Sequence, residues 1–165
     1  MKDNRRSIVF SSFAGEEQGL EGSSHFVQEL QGTFPGKKVI AVFNFDIVGG
    51  DNSVNDENSM NEVRLFAPLM EPHRKLALKI QSLASSLEPS TKVILIPMAD
   101  RSGRSGDQVS FQNKRIPAVR FNEAVENTSH QHSADDLPKY VSPRYLERIA
   151  NLGESIVSAL ADAAD

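Results

Sequence analysis

Residues 7–20, Ser-Ile-Val-Phe-Ser-Ser-Phe-Ala-Gly-Glu-Glu-Gln-Gly-Leu, constrain the fold more than any other stretch of the chain. Positions 8–13 form a nearly continuous apolar run of β-branched and aromatic residues. Such a run predicts a strand covered on both faces, as inside a parallel sheet. It breaks at Gly15, presents the adjacent carboxylates Glu16 and Glu17, and re-enters order through Gly19 and Gly22. Open α/β sheets gather ligands where strands deliver their carboxyl ends, and the two glutamates stand at such an end. Neighbouring acids on a turn point different ways, so one can hold a metal while the other handles a proton. Taken alone, the same pair also fits a solvated turn or an acidic helix start favoured by the macrodipole.

Downstream, strand and helix patterns alternate. Gly22-Ser23-Ser24 reads as a helix start, with Phe26, Val27 and Leu30 on one apolar face and Gln31-Gly32 at the end. Residues 38–46 predict a second apolar strand, again closing on a carboxylate. The tract 50–61 is the most polar and reads as a surface loop; its Asp and Asn spacing misses a calcium-binding EF-hand. Residues 62–66 predict a short strand. Residues 73–87 then carry Leu76, Ala77, Ile80, Leu83, Ala84 and Leu87 at three-and-four spacing, an amphipathic helix. A third buried-type strand is expected at 92–98, a short helix at 107–113 and a fourth strand at 116–121, followed by an irregular connection over 122–141. Ser142-Pro143 combines a cap with proline at the first helical position, ahead of a C-terminal helix striped by Tyr145, Ile149, Leu152, Ile156, Val157 and Leu160. This alternation predicts an α/β fold, a three-layer α/β/α sandwich around a mostly parallel, mixed sheet, with residues 1–165 in a single domain.

A chain of 165 residues, 39% hydrophobic and with a net charge of −4, fits a globular domain with a real core. Its mild acidity argues against nucleic acid or an anionic membrane as main partner. No apolar run reaches the length of a membrane span, and Met1-Lys2-Asp3-Asn4-Arg5-Arg6 lacks the apolar core of a signal peptide. Cysteine is absent, so disulfides and thiolate zinc sites are excluded and His, Asp and Glu remain as metal ligands. The compartment stays open.

Three further features sit where strands end or loops begin. Asp46 closes Asn44-Phe45-Asp46, Asp107 follows an Arg-Ser-Gly-Arg-Ser-Gly loop, and His132 and Asp136 lie in His130-Gln131-His132-Ser133-Ala134-Asp135-Asp136. Carboxylates and an imidazole converging from separate strand ends make the oxygen and nitrogen environment of a catalytic zinc. Zinc-bound water ionises near neutral pH, and a neighbouring carboxylate can pass its proton to a leaving amine. Singly, each residue has a plainer reading: Asp46 as a turn cap, His132 as a loop histidine. His25 and His73 fall in helices or at their starts and read as surface or packing residues. No helical His-Glu-x-x-His pattern is present.

Taken together, four segments resemble the co-catalytic zinc aminopeptidases of metallopeptidase family 28, a group that also includes glutamate carboxypeptidase-like and glutaminyl-cyclase-like members. They are Phe13-Ala14-Gly15-Glu16-Glu17-Gln18-Gly19-Leu20-Glu21-Gly22-Ser23, Asn44-Phe45-Asp46-Ile47-Val48-Gly49, residues 105–111 with Ile116-Pro117-Ala118-Val119-Arg120-Phe121, and Gln131-His132-Ser133-Ala134-Asp135-Asp136. The resemblance implies Glu16 as general base, Glu17 and His132 as ligands of one zinc, and Asp46 as a ligand of the other. It implies Asp136 as a loop-fixing acid behind the metal-bound imidazole, and Arg104, Asp107 and Phe111 as lining of the substrate pocket. The implied reaction is hydrolysis of the N-terminal bond of a peptide substrate. Members of the family are frequently exported.

Two departures qualify the resemblance. The family's sheet begins earlier, and its further histidine ligand and zinc-bridging aspartate are expected upstream of Met1. The chain therefore resembles an N-terminally truncated catalytic domain, its C-terminal two-thirds, expected to bind zinc weakly and to have little activity alone. Missing strands would leave an apolar sheet edge open to a homo-oligomer or to another chain. Gln131 stands where many members carry a tyrosine, which leaves the oxyanion donor open. Two other readings are a non-catalytic peptidase-like interaction module and a single-zinc cyclotransferase. Retention of both Glu16 and Glu17 favours the peptidase over the first, and the full Glu-Glu and His-Ser-Ala-Asp-Asp stretches favour it over the second.

Overall fold

Strands and helices follow the sequence pattern closely, except at the first apolar run. The computed structural model describes residues 4–50, 57–101 and 103–163. Four strands, β1 (Val42–Phe45), β2 (Glu62–Phe66), β3 (Lys92–Ile96) and β4 (Ala118–Glu123), form one sheet in the order β1-β4-β2-β3. β1 runs parallel to β4 and β2 parallel to β3, while β4 and β2 are antiparallel. The sheet is therefore mixed: two parallel pairs joined at a reversal. β3 stops before Pro97, which has no amide hydrogen to give the ladder, and β4 starts just after Pro117, whose carbonyl accepts from Val42 N at 2.8 Å.

Helices cover both faces. α2 (His73–Leu87) and α4 (Pro143–Asp162) pack on one, where Leu76, Ile80, Ile149 and Leu152 bury against Val63, Leu65, Val119 and Phe121. α1 (Glu21–Thr33) and the short α3 (Gln108–Gln112) cover the other through Val27, Leu30, Phe111 and Ala118. The three-layer expectation is met. α4 begins as its sequence dictates, with Ser142 Oγ accepting from Tyr145 N at 3.3 Å and Pro143 in the first turn. A cap of this kind contributes about 1 kcal/mol. Gly153 of α4 has a packing reason. A Cβ there would stand 2.8 Å from the Phe45 ring, which itself stacks on Phe121 with centroids 4.8 Å apart.

Along β4 the pleat sorts chemistry as well as bulk. Val119 and Phe121 face the apolar layer of α2 and α4. Arg120 and Asn122 point to the opposite face, buried yet polar, with 3% and 0% of their surface exposed. That polar half-face positions the site.

One expected element is absent. Residues 8–13 form no strand, and Val9 and Phe10 are 56% and 93% exposed. A strand exists through hydrogen bonds to a neighbour, and among the described residues none is laid beside this segment. It is fastened only at its ends. Arg6 caps the last carbonyls of α4, donating from Nη1 to Leu160 O at 2.7 Å and Ala163 O at 2.6 Å, and the Phe13 ring packs 5.3 Å from Phe26. The second expected strand is likewise cut from 38–46 to Val42–Phe45, the part that β4 pairs. Of the polar tract 50–61, residues 51–56 lie outside the described residues and Glu57–Asn61 form a 3-10 turn. No helix among the described residues is long and apolar enough to cross a membrane.

His73 belongs to this packing. It is 2% exposed, and its Nδ1 accepts from Ala118 N, the first residue of β4, at 3.3 Å. Burial holds its pKa below the ordinary value of 6.5, against a weaker opposing pull from Glu71, so the folded protein keeps it neutral. The unfolded chain then binds the extra proton first, and stability present above the unfolded pKa is lost as pH falls below it. The expected outcome is a urea midpoint that drops between about pH 7.5 and about pH 5.5, with His73→Gln removing part of that slope. An unchanged slope in the variant would show that His73 does not titrate with unfolding.

Candidate active site

The site is built from the carboxyl end of β1, the turn after the first apolar run, and two loops that fold over the polar half-face of β4. β1 delivers Asp46, and Arg120 of β4, in register with Asn44, reaches it with Nη2 3.3 Å from Asp46 Oδ2. The same guanidinium donates from Nη1 to Ser105 O, binding the 103–106 loop to the sheet. Gly106 lies so close that a Cβ would meet Asp46 Oδ2 at 3.0 Å.

Glu16 and Glu17 sit on a tight turn closed by Leu20 N to Glu16 O at 2.9 Å and Glu21 N to Gly15 O at 3.0 Å. Gly15 and Gly19 supply its left-handed corners, with φ 68° and 111°. His132 arrives from the 124–137 connection and places Nε2 3.7 Å from Glu17 Oε1, both side chains being 65% exposed. Glu16, Glu17, Asp46, Arg120, His132 and Asp136 all line one open cleft of about 970 Å³.

The cleft is electrostatically strained. Burial raises the Glu16 pKa, and Asp46, Glu17 and Asp107 raise it further against the pull of Arg120. Asp46 is raised chiefly by burial, with Arg120 the main opposing influence and Asp107 and Glu17 adding repulsion. Carboxylates gathered in this way favour a proton or a bound cation. The donor types suit zinc, but their number falls short. Among the described residues no three His, Asp or Glu side chains are arranged to hold a metal ion. Glu17 and His132 supply two where a catalytic zinc takes about three.

Several expected site residues stand elsewhere than anticipated. Phe111 does not line the cleft: it is 3% exposed, inside the aromatic cluster with Phe13 and Phe26, because α3 turns that side into the helix layer. Asp107 is absent from the cleft wall, and its Oδ1 is buried without a hydrogen-bond partner, near enough to Glu16 and Asp46 to act by charge. Arg104 borders the cleft with its donors already engaged. Its side chain is 5% exposed, salt-bridged to Asp100 and Glu126 and stacked over the Phe66 ring at 5.2 Å. Asp136 lies on the exposed rim, bonded through its amide to Ser133 O at 3.2 Å, and makes no hydrogen bond to His132. Gln131 donates its side-chain amide to Glu126 Oε1 at 3.0 Å.

Sequence reasoning missed Arg120, Glu123 and Glu126. The signal for Arg120 was present: polar residues at 120 and 122 alternate with apolar ones in a strand otherwise read as buried. Nothing in the sequence marked Glu126, whose partners Arg64, Arg101 and Arg104 lie far from it along the chain.

Comparison with known proteins bears on the family and the fold. The family model described as Peptidase family M28 matches residues 1–157. A probable zinc metalloprotease of Pyricularia oryzae is 30% identical over 189 residues, an alignment covering 95% of this chain and 37% of that protein. A second, from Pyrenophora tritici-repentis, is 28% identical over 190 residues, covering 96% and 39%. Among solved structures, the LapA aminopeptidase of Legionella pneumophila superposes with a TM-score of 0.74 at 25% identity, covering 93% of this chain and 39% of that one. The chain spans about two-fifths of the length of these relatives.

The roles of Arg104 as clamp and as substrate contact separate experimentally. Arg104→Met leaves the buried Glu126 carboxylate without its closest cation, and the expected cost in urea denaturation is about 3 kcal/mol. A loss below about 1 kcal/mol would instead mark a residue whose charge is spent on ligand.

Proposed function

Because the chain belongs to peptidase family M28, we propose that its cleft is the working site of a zinc-dependent exopeptidase of aminopeptidase type, hydrolysing the N-terminal bond of peptides. The observation that carries the reading is the meeting of Glu16, Glu17, Asp46 and His132, from three separate stretches of sequence, around one open cleft beyond the carboxyl end of β1. Glu16 is the proton carrier. Its pKa is raised by burial and neighbouring acids, which moves its proton affinity toward the working range of a general base. In this reading it takes a proton from the attacking water and returns it to the departing amine. Arg120 opposes the burial that raises the Asp46 pKa and orients its carboxylate at the cleft floor.

Glu17 and His132 would contact one zinc and Asp46 a second. The name borne by the relatives supports the metal, and so does the donor chemistry. The two donors of the first site fall short of a complete set, so tight zinc binding is not expected of these residues by themselves. The acid-rich cleft would accept the cation readily in charge while holding it weakly in geometry.

A panel of aminoacyl-nitroanilides, assayed with and without zinc, tests the reading. The expected result is slow, zinc-stimulated hydrolysis that Glu16→Gln lowers by about 10²-fold or more. A wild-type rate equal to that of the variant on every substrate sinks the peptidase proposal. Calorimetric zinc titration is expected to give weak binding, and tight stoichiometric uptake of two ions would refute the two-donor description.

A further inference from the structure

Backbone strain in this protein collects at the cleft. Four non-glycine residues among those described have positive φ: Leu20 at 62°, Ile47 at 54°, Arg115 at 56° and His132 at 58°. Leu20, Ile47 and His132 all line the cleft. Ile47 is the costliest of them, because a β-branched side chain fits the left-handed region worst, and it directly follows Asp46. Such a conformation persists only when its surroundings impose it.

The imposing group is Glu123, a carboxylate that the proposed chemistry leaves unused. It ends β4, is 3% exposed, and its own amide donates to Ile47 O at 2.7 Å. Its Oε2 accepts from Gly50 N at 2.6 Å, and its carboxylate also takes a backbone hydrogen bond from Asn127. Gly50 is required there, since a Cβ would meet Glu123 Oε2 at 2.5 Å. On the far side, Ser142 N holds Gly49 O at 2.7 Å. The 47–50 turn is thus pinned at both ends, and one pin also grips the segment that leads to His132.

We infer that Glu123 is a positioning residue: it buckles the 47–50 turn onto the 123–127 segment, forces Ile47 left-handed, and so fixes where Asp46 presents its carboxylate. The inference deepens the peptidase reading and rests on it for the use made of Asp46. The buried carboxylate suits this tie because it offers acceptors to backbone N–H groups on both sides, Gly50 in the turn and Asn127 in the following segment. An apolar side chain of the same size would leave the Gly50 and Asn127 amides unpaired.

Nuclear magnetic resonance of the full chain tests the buckle without reference to activity, because two probes lie beside Asp46: the Arg120 guanidinium, 3.3 Å from its carboxylate, and the amide of Gly106, where a Cβ would stand 3.0 Å from Asp46 Oδ2. Ile47→Gly is expected to keep or raise the thermal midpoint, strain being released, while shifting both probe signals. Glu123→Ala should shift the same probes, and Glu123→Gln, which keeps one acceptor for Gly50 N, should restore them in part. Unmoved Arg120 and Gly106 signals in Ile47→Gly overturn the inference and leave Glu123 a local staple, even if Glu123→Ala does not fold. In the nitroanilide assay, Glu123→Gln should lower kcat about tenfold with KM unchanged. Absence of any wild-type hydrolysis would count against the peptidase reading alone, since the resonance shifts stand apart from turnover.

Discussion

The pairing of β1 with β4 is the constraint on which the rest depends. It lays Phe45 flat on Phe121, and that stack is driven into the α4 layer at Gly153. The same register turns the opposite side chains, Asn44 and Asp46 from one strand and Arg120 and Asn122 from the other, onto a single half-face. Apolar burial on one side of the sheet therefore sets the position of a charge pair on the other. A one-residue slip of β1 would carry Asp46 off this half-face and turn Phe43 and Phe45 onto it.

Charge is handled in two opposite ways on that half-face. Around Phe66, ions are matched: Arg64 and Arg104 against Asp100 and the buried carboxylate of Glu126, with both guanidinia over the aromatic ring. These contacts hold the carboxylates of Asp100 and Glu126 below their usual range, chiefly through Arg104 and in spite of burial. A few residues away, Glu16 and Asp46 face each other, Glu17 and Asp107 with Arg120 as the main counter-charge. The raised pKa values of Glu16 and Asp46 mean that the fold binds protons there more tightly than the unfolded chain does. Stability from that source is present in acid and is lost as pH rises through the folded values, the reverse of the His73 dependence. The matched cluster is a scaffold, and the unmatched one is a place where a cation lowers the free energy.

Local pattern and motif made much of this legible. Glu62–Phe66 and His73–Leu87 are bounded in the structure as their periodicity dictates, since each carries its own apolar face. That Glu16, Glu17, Asp46 and His132 share one cleft was readable from the segments that carry the family resemblance, three of them on a turn or at a strand end. What failed had its cause elsewhere in the chain. Residues 8–13 have the composition of a strand, but strand formation is a property of a pair. Phe111 lies on the inward side of a one-turn helix, and five residues are too few for periodicity to reveal which side that is. Arg104 carries a charge whose destination, Glu126, is set by how two loops cross and not by spacing.

The parts of the cleft differ in firmness, and the difference bears on mechanism. The floor of Asp46, Arg120 and Gly106 is set by the sheet, and buried Glu123 ties its edge to the following segment. On the rim the Glu17 and His132 side chains are each 65% exposed, and among the described residues the two loops are linked there by the 3.7 Å approach between them. Screening by water leaves an exposed pair like this with a median contribution of about 0–1 kcal/mol. It cannot by itself hold the two loops at metal-ligand distance. On the peptidase reading proposed above, a cation shared by Glu17 and His132 would supply the missing tie and would couple ligand binding to the approach of the two loops. The Glu126–Gln131 hydrogen bond is the anchor on that side: it fixes the loop one residue before His132 to the matched cluster, so the imidazole hangs from a point the scaffold already holds.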